Sequence, residues 1–170
     1  QIEEISKEER VTPETIKKPR KIILVQNRPS PDLPAEFKNR VSELNGHDLK
    51  FLMHKRLFGS DLNPNNNRLS MPINEIECEF LTETEITKLD VRDDSIGKGR
   101  LVGIEVTVLD PCLREFTLSL KKWSMRKADI YNLITNWNKI VSINKFEKDQ
   151  ELQIWSFRVE NKLYLILNKV

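Results

Sequence analysis

From residue 100 onward, apolar and polar positions alternate with the two-residue period of a half-buried strand. In RLVGIEVTVLD the residues Val102, Ile104, Val106 and Val108 share one side, and in REFTLSLKKW Phe116, Leu118 and Leu120 do the same. DPCLR between them reads as a turn, so the two runs are predicted to form a hairpin or to be near neighbours. ELQIWSFRV and KLYLILNKV predict a closing hairpin across VENK, and YNLIT a shorter strand. Upstream, DLKFLMHKRLF and LSMPI are further strand candidates, and the proline of LSMPI argues for a strand end or a sheet edge. KIILVQN, ahead of the NRPSPDLP turn region, reads as a short strand or an extended segment on the core. The period lengthens in LPAEFKNRVSELNG, where Leu33, Phe37, Val41 and Leu44 recur every three to four residues before a glycine stop, predicting a helix. NWNKIVSINKF predicts another, with Trp137, Ile140 and Val141 inward. Thr82 with Glu85 three residues on is a capping-box pattern for a short helix, in an acidic stretch expected to cover one end of a sheet. Many short strands with few short helices predict a small barrel-like all-β fold whose helices plug its ends.

Length and composition allow one such core. The chain has 170 residues, enough for a single domain with a tail, and its 38% hydrophobic and 32% charged residues describe a globular protein with a strongly hydrated surface. The opening QIEEISKEERVTPETIKKPRK has few large apolar residues and reads as a flexible lead-in with a short helical turn at 2–10. Apolar runs such as LYLIL at 163–167 are too short to cross a bilayer, and no secretory-type start is visible, so a soluble chain without membrane contact is expected. Cys78 and Cys112 point weakly to a reducing compartment, with a single bridge between them left open. With only His47 and His54 and no close Cys pair, no zinc site is expected.

Charge changes the picture more by position than by total. The net charge is only +2. Residues 1–15 carry −3 and residues 75–95 carry −6, whereas residues 50–72 carry +3 and residues 114–139 carry +4. If the two basic stretches meet in space, they make one positive face suited to a polyanion. Signs of catalysis are missing. GKGR at 97–100 lacks the context of a phosphate loop, no nucleophile elbow or HExxH occurs, and the acids at 75–95 follow one another too loosely for a general acid/base pair. Asp61 near His54 suggests a hydrolytic pair but has no third member. What the chain offers is amides and cations on loops beside strands, the groups that pair with base edges and phosphates.

The stretch SDLNPNNNRL at 60–69 concentrates four asparagines between two strand candidates, more than a turn requires. Together with its flanks, KRLFGSDLNPNNNRLSMP resembles the signature of the plant B3 DNA-binding domain: a strand, Ser-Asp-Leu, a polar loop and Arg-Leu-x-hydrophobic-Pro. LSLKKWSMRKADIYNLITNWNKIV is similar to the same domain's Trp, second loop, Tyr-x-Leu and helix, and FEKDQELQIWSF to its closing segment. These ordered blocks cover residues 50–170. With KKPRKIILVQN and LPAEFKNRVSELNG they look like the divergent reproductive-meristem-type subgroup, long catalogued as a domain of unknown function. Three features depart from the common pattern: a first loop one residue longer, Ile73 in place of the lysine after the proline, and Lys148 in place of the closing glycine.

The resemblance implies a seven-stranded open β-barrel, or pseudobarrel, with two capping helices, here with an added N-terminal helix. It implies nuclear location, transcriptional regulation, no catalysis and no cofactor, with double-stranded DNA gripped in the major groove between two arms. The implied parts are a lead-in at 1–18, an N-terminal extension with an amphipathic helix at 19–48 and the barrel at 49–170. The arms are Ser60 to Leu69 and Trp123 to Tyr131. Base-contact candidates are Asn63, Asn65, Asn66, Asn67, Arg68, Arg126 and Lys127; Arg68 either reads or braces. Backbone-contact candidates are Lys55, Arg56, Ser60, Lys121, Lys122, Ser124 and Asn132. Trp137 and Trp155 are expected in the core and Trp123 at an arm base. The rival reading is a protein-interaction module that keeps the barrel without reading bases, using the N-terminal extension as its partner surface. A weaker third is a nuclease recognition domain whose catalytic part lies elsewhere.

Overall fold

The computed structural model describes residues 30–93 and 100–170; the lead-in and KIILVQN lie outside the described residues. The predicted first helix forms as α1 (Ala35–Glu43), stopped at Leu44–Asn45, with Asn45 in the left-handed region at φ 57°. The strand candidates become β1 (His47–Arg56) and β2 (Arg68–Pro72), separated by one helical turn, α2 (Gly59–Leu62), inside the stretch read as a polar loop. Then come α3 (Glu83–Leu89), a small ribbon of β3 (Arg92–Asp93) and β4 (Arg100–Leu101), and the long alternating runs β5 (Ile104–Leu109) and β6 (Glu115–Ser124). The chain ends with β7 (Asp129–Ile134), α4 (Trp137–Asn144), β8 (Glu151–Val159) and β9 (Lys162–Lys169).

The large sheet has seven strands in the order β1-β8-β9-β5-β6-β7-β2. Both expected hairpins, β5–β6 and β8–β9, are present, and the proline-bearing β2 is indeed an edge strand. The hairpins are joined by a parallel pairing of β9 with β5, in which Leu165 stands beside Val108. The sheet curls until its two edges approach each other. Lys55 near the end of β1 and Ser70 in β2 both reach the carboxylate of Asp61, so a side chain bridges the edges where no ladder does. The result is an open pseudobarrel.

Its interior is filled by the inward residues of the alternating strands, among them Leu69, Met71, Val106, Leu118, Leu120, Leu133, Ile154 and Leu165. Trp137 and Ile140 of α4 and Leu89 of α3 plug this interior. On the other side of the sheet, Leu33, Phe37 and Val41 cover Phe51, Trp155, Phe157 and Ile166. That cover explains why Leu152 to Arg158 is buried almost without alternation: β8 has protein on both faces. Residues from Asp32 onward form one compact unit, α1 included.

The capping box forms as predicted, with Glu85 N donating to Thr82 Oγ1 at 3.1 Å and Thr82 N to Glu85 Oε1 at 2.9 Å. Glu85 then accepts both terminal nitrogens of Arg158 at 2.7 Å, tying α3 to β8. Burial pushes the Glu85 carboxyl up, but the Arg158 hydrogen bonds, the Thr82 N–H and the Arg158 charge outweigh it and hold the group below the usual glutamate range. Cys78 and Cys112 are free thiols; Cys78 donates to the Phe51 carbonyl, and burial pushes its thiol up. No helix among the described residues is long and apolar enough to cross a membrane.

Candidate nucleic-acid interface

The first arm is built around Asp61, only 1% exposed. Its carboxylate accepts from Phe58 N at 2.8 Å, Ser70 N at 3.1 Å and Ser70 Oγ at 3.1 Å, and pairs with Lys55 Nζ at 3.1 Å. Its carbonyl accepts from Nε1 of the buried Trp137 at 2.7 Å. Farther out, the arm leans on the start of α4. Asn138 N donates to Asn67 Oδ1 and Asn138 Nδ2 to the Pro64 carbonyl, both at 2.8 Å. Asn67 sits in the left-handed region at φ 45°, which asparagine tolerates better than most residues. Asn66 Nδ2 donates to the carbonyl of the exposed Ser60 at 2.9 Å, and Asn63 Oδ1 accepts from Asn65 N at 3.0 Å as an Asx turn. Asn63, Asn66 and Asn67 thus hold the loop in shape. Asn65, exposed, has no side-chain partner among the described residues.

The second arm is the β6–β7 hairpin, whose tip is closed by Met125 N donating to the Ala128 carbonyl at 3.1 Å. Ser124, Met125, Arg126 and Lys127 are exposed, and neither cation has an ion pair among the described residues. Opposed residues in an antiparallel ladder share a face. The registers therefore give three outward rows across β2, β7 and β6: Arg68–Ile134–Ser119, Ser70–Asn132–Lys121 and Pro72–Ile130–Trp123. The first arm enters at the Arg68 row and the second leaves at the Trp123 row. Those rows are about 13 Å apart at roughly 3.3 Å per residue, close to the width of a major groove, about 12 Å. Across this face the Arg68 guanidinium lies 5.1 Å from the Trp123 ring centre, a bracing contact. The Lys121 stem lies over Gly103, where an added Cβ would come within 2.8 Å of it; Gly103 is at φ 74°.

Several candidate residues are not placed as a surface contact needs. Lys55 is corrected: it is 3% exposed and its ammonium faces the Asp61 carboxylate, because β1 turns it to the barrel interior. Asn132 is covered as well, being 1% exposed beneath its neighbours. Lys122 points to the other face and is paired with Asp90 at 3.3 Å and Asp129 at 3.9 Å. Arg56 is exposed but paired with Asp149 at 3.2 Å. His54 and Lys55 alternate across β1, so the carboxylate that takes Lys55 is turned away from His54, which removes the hydrolytic pairing. Trp137 and Trp155 lie in the core and Trp123 at the surface, as their positions predict. Sequence reasoning missed the supporting roles of Asp61 and Asn138; the Ser-Asp that opens the polar loop was the one local signal for the first. Among the described residues no group of three or more His, Cys, Asp or Glu gathers to hold a metal.

Residues 30–169 match the family described as B3 domain-containing protein At2g31720-like. The chain belongs to this family. The matched span includes α1, so the helix on the back of the sheet lies within the family's extent rather than outside it. B3 domain-containing protein At2g24670 of Arabidopsis thaliana is 34% identical over 128 residues, covering 72% of this chain and 50% of that protein. At5g24050 from the same plant is 34% identical over 117 residues, covering 65% of this chain and 33% of that one. The chain thus spans half or less of these relatives. Among solved structures, the Arabidopsis FUS3-DNA complex shares the fold with a TM-score of 0.50 and 16% identity, over 71% of this chain and 99% of that one.

Proposed function

We propose that this B3 chain binds double-stranded DNA sequence-specifically through the major groove, as part of a nuclear transcriptional regulator of a plant. The observation that carries the reading is the pairing of an amide-rich arm and a cationic arm at opposite ends of one ladder. Arg68, Lys121, Arg126 and Lys127 have no carboxylate partner among the described residues. That a solved protein sharing this fold, FUS3, is in complex with DNA supports the reading by analogy of fold. In this reading Asn65, Asn66, Arg126 and Lys127 meet base edges, while Ser60, Lys121, Ser124 and Arg68 meet the backbone. Asn63 and Asn67 act mainly by shaping the arm. Affinity comes largely from phosphate neutralisation and discrimination from the arms. A protein partner at the N-terminal extension belongs to the same proposal; it would meet the polar face of α1, since the apolar stripe is buried on the sheet.

The test is selection of sites from a random duplex library, followed by fluorescence anisotropy on the enriched and a scrambled duplex at several salt concentrations. An enriched motif bound about a thousandfold more tightly than the scramble is the expected result. With Arg68 and Lys121 neutralising phosphates, the logarithm of affinity falls against that of salt with a slope of about −1.8. Arg126→Ala with Lys127→Ala should weaken binding and narrow the preference for the enriched duplex over the scramble without lowering Tm by more than a few degrees. Binding without enrichment would remove base readout, and no binding at low salt would favour the protein-interaction module instead.

A further inference from the structure

Asn132 stands out among the buried side chains. It lies on the outward face of β7, the middle strand of the three outward rows, yet is 1% exposed, and neither its Nδ2 nor its Oδ1 has a hydrogen-bond partner. A buried amide with both ends unpaired destabilises the fold and calls for an explanation. The registers show what flanks it, with Ile130 and Ile134 next to it on the same face of β7. Arg68 is on β2 one row to one side, Trp123 on β6 one row to the other, and Asn132 is the residue at the centre of the diagonal between them. The contact of the Arg68 guanidinium with the Trp123 ring, at 5.1 Å, therefore crosses the row in which Asn132 lies. Directly beside Asn132 are Lys121, half-buried and without a carboxylate partner, and Ser70, whose hydroxyl already donates to Asp61.

We infer that the Arg68–Trp123 stack is a lid over a reserved ligand for the DNA backbone, and that Asn132 is that ligand. A cation–π contact at a surface is weaker than a charge-assisted, bidentate pair of arginine with phosphate. A backbone phosphate approaching the face draws the guanidinium off the ring, and the uncovered Asn132 Nδ2 donates to a phosphate oxygen beside Lys121. A backbone oxygen fits this site better than a base edge, because the amide sits at strand level, recessed below both arms. The inference rests on the DNA-binding reading above and deepens it by naming one contact that the unbound molecule conceals.

The experiment compares the wild type, Asn132→Leu, Asn132→Ser and Arg68→Met by anisotropy on the selected duplex at several salt concentrations, with Tm measured for each. Asn132→Leu is close in shape and removes the unpaired amide, so its Tm should hold or rise while its affinity falls about tenfold at constant salt slope. Asn132→Ser, which keeps a small donor, should recover part of that loss. Arg68→Met keeps contact with the ring but removes the charge, so its salt slope should shrink by about 0.9. Wild-type binding with Asn132→Leu within twofold of it would overturn the inference and leave the DNA reading intact. A fall in Tm that accompanies the lost affinity in both Asn132 variants would also overturn it, by making the amide structural. Failure of the wild type to bind any duplex at low salt would overturn the DNA reading and this inference with it.

Discussion

Replacing Asp61 by alanine tests whether one buried carboxylate holds both the barrel's closure and the first arm. Asp61 and Lys55 are 1% and 3% exposed and 3.1 Å apart, so the variant leaves an ammonium buried without its counter-charge. Removing one partner of a buried pair costs about 3–5 kcal/mol. Phe58 N and both donors of Ser70 are orphaned too, but they share the one carboxylate, so their losses overlap with the first. The expected cost of Asp61→Ala is about 4 kcal/mol, a large share of a domain's usual total of about 5–15 kcal/mol. Lys55→Met should cost less, about 2 kcal/mol, because the carboxylate keeps its three other donors. Urea denaturation followed by Trp fluorescence reads both values, since Trp137 donates to the Asp61 carbonyl. A cost below about 1 kcal/mol for Asp61→Ala, or a larger one for Lys55→Met, would refute the assignment of Asp61 as the hub.

Phe37→Ala should cost about 3–4 kcal/mol by emptying the contact of α1 with Trp155 and Phe157, yet leave duplex affinity unchanged at temperatures where the variant is folded; denaturation and anisotropy check the two halves. Because Glu85 is held below the usual range when folded, its pairing with Arg158 contributes fully above the ordinary glutamate pKa, about 4.3, and is lost as pH falls through the lower folded value. Glu85→Gln checks this by thermal melts across pH: its Tm should lie well below wild type at pH 7, and the gap should narrow from about pH 4.5 downward. Thr135, β-branched at φ 67° between β7 and α4, should be relieved by Thr135→Gly, with a gain of up to about 1 kcal/mol readable as a raised Tm.

The elements legible in the sequence are those whose determinants are local. The period of two in Ile104–Leu109 and Glu115–Ser124 survives into the sheet because one side of each strand meets the core interior. The Thr82–Glu85 box needs only a three-residue spacing. In contrast, the parallel pairing of β9 with β5 has no local signal, since it is set by how two hairpins meet. Lys55 and Lys121 look alike in sequence, each a lysine in a strand beside an arm. The first faces inward because a carboxylate contributed by the arm is there to receive it, and the second lies outward over a glycine. From its composition the polar loop was legible as more than a turn, and as an arm only through the family resemblance. That Asn67 is used to hold the arm depends on Asn138, which lies far along the chain, whereas Asn63 and Asn66 bond within the arm.

The two arms are built on different physical terms. The first is fixed at its base by the Asp61 carboxylate and carbonyl and along its length by Asn138, Asn63 and Asn66, so its conformational entropy is largely lost on folding rather than on binding. The second is a hairpin whose exposed tip is closed by one backbone hydrogen bond and offers two unpaired cations. A shaped, neutral, amide-bearing surface favours discrimination, because hydrogen-bond geometry must match a base edge. A charged tip favours attraction, because phosphate charge is the same at every step of a duplex. Between them, the Arg68–Trp123 contact ties the end of the rigid arm to the start of the charged one. The face is therefore a graded surface, pre-shaped at one end, cationic at the other and braced across its middle.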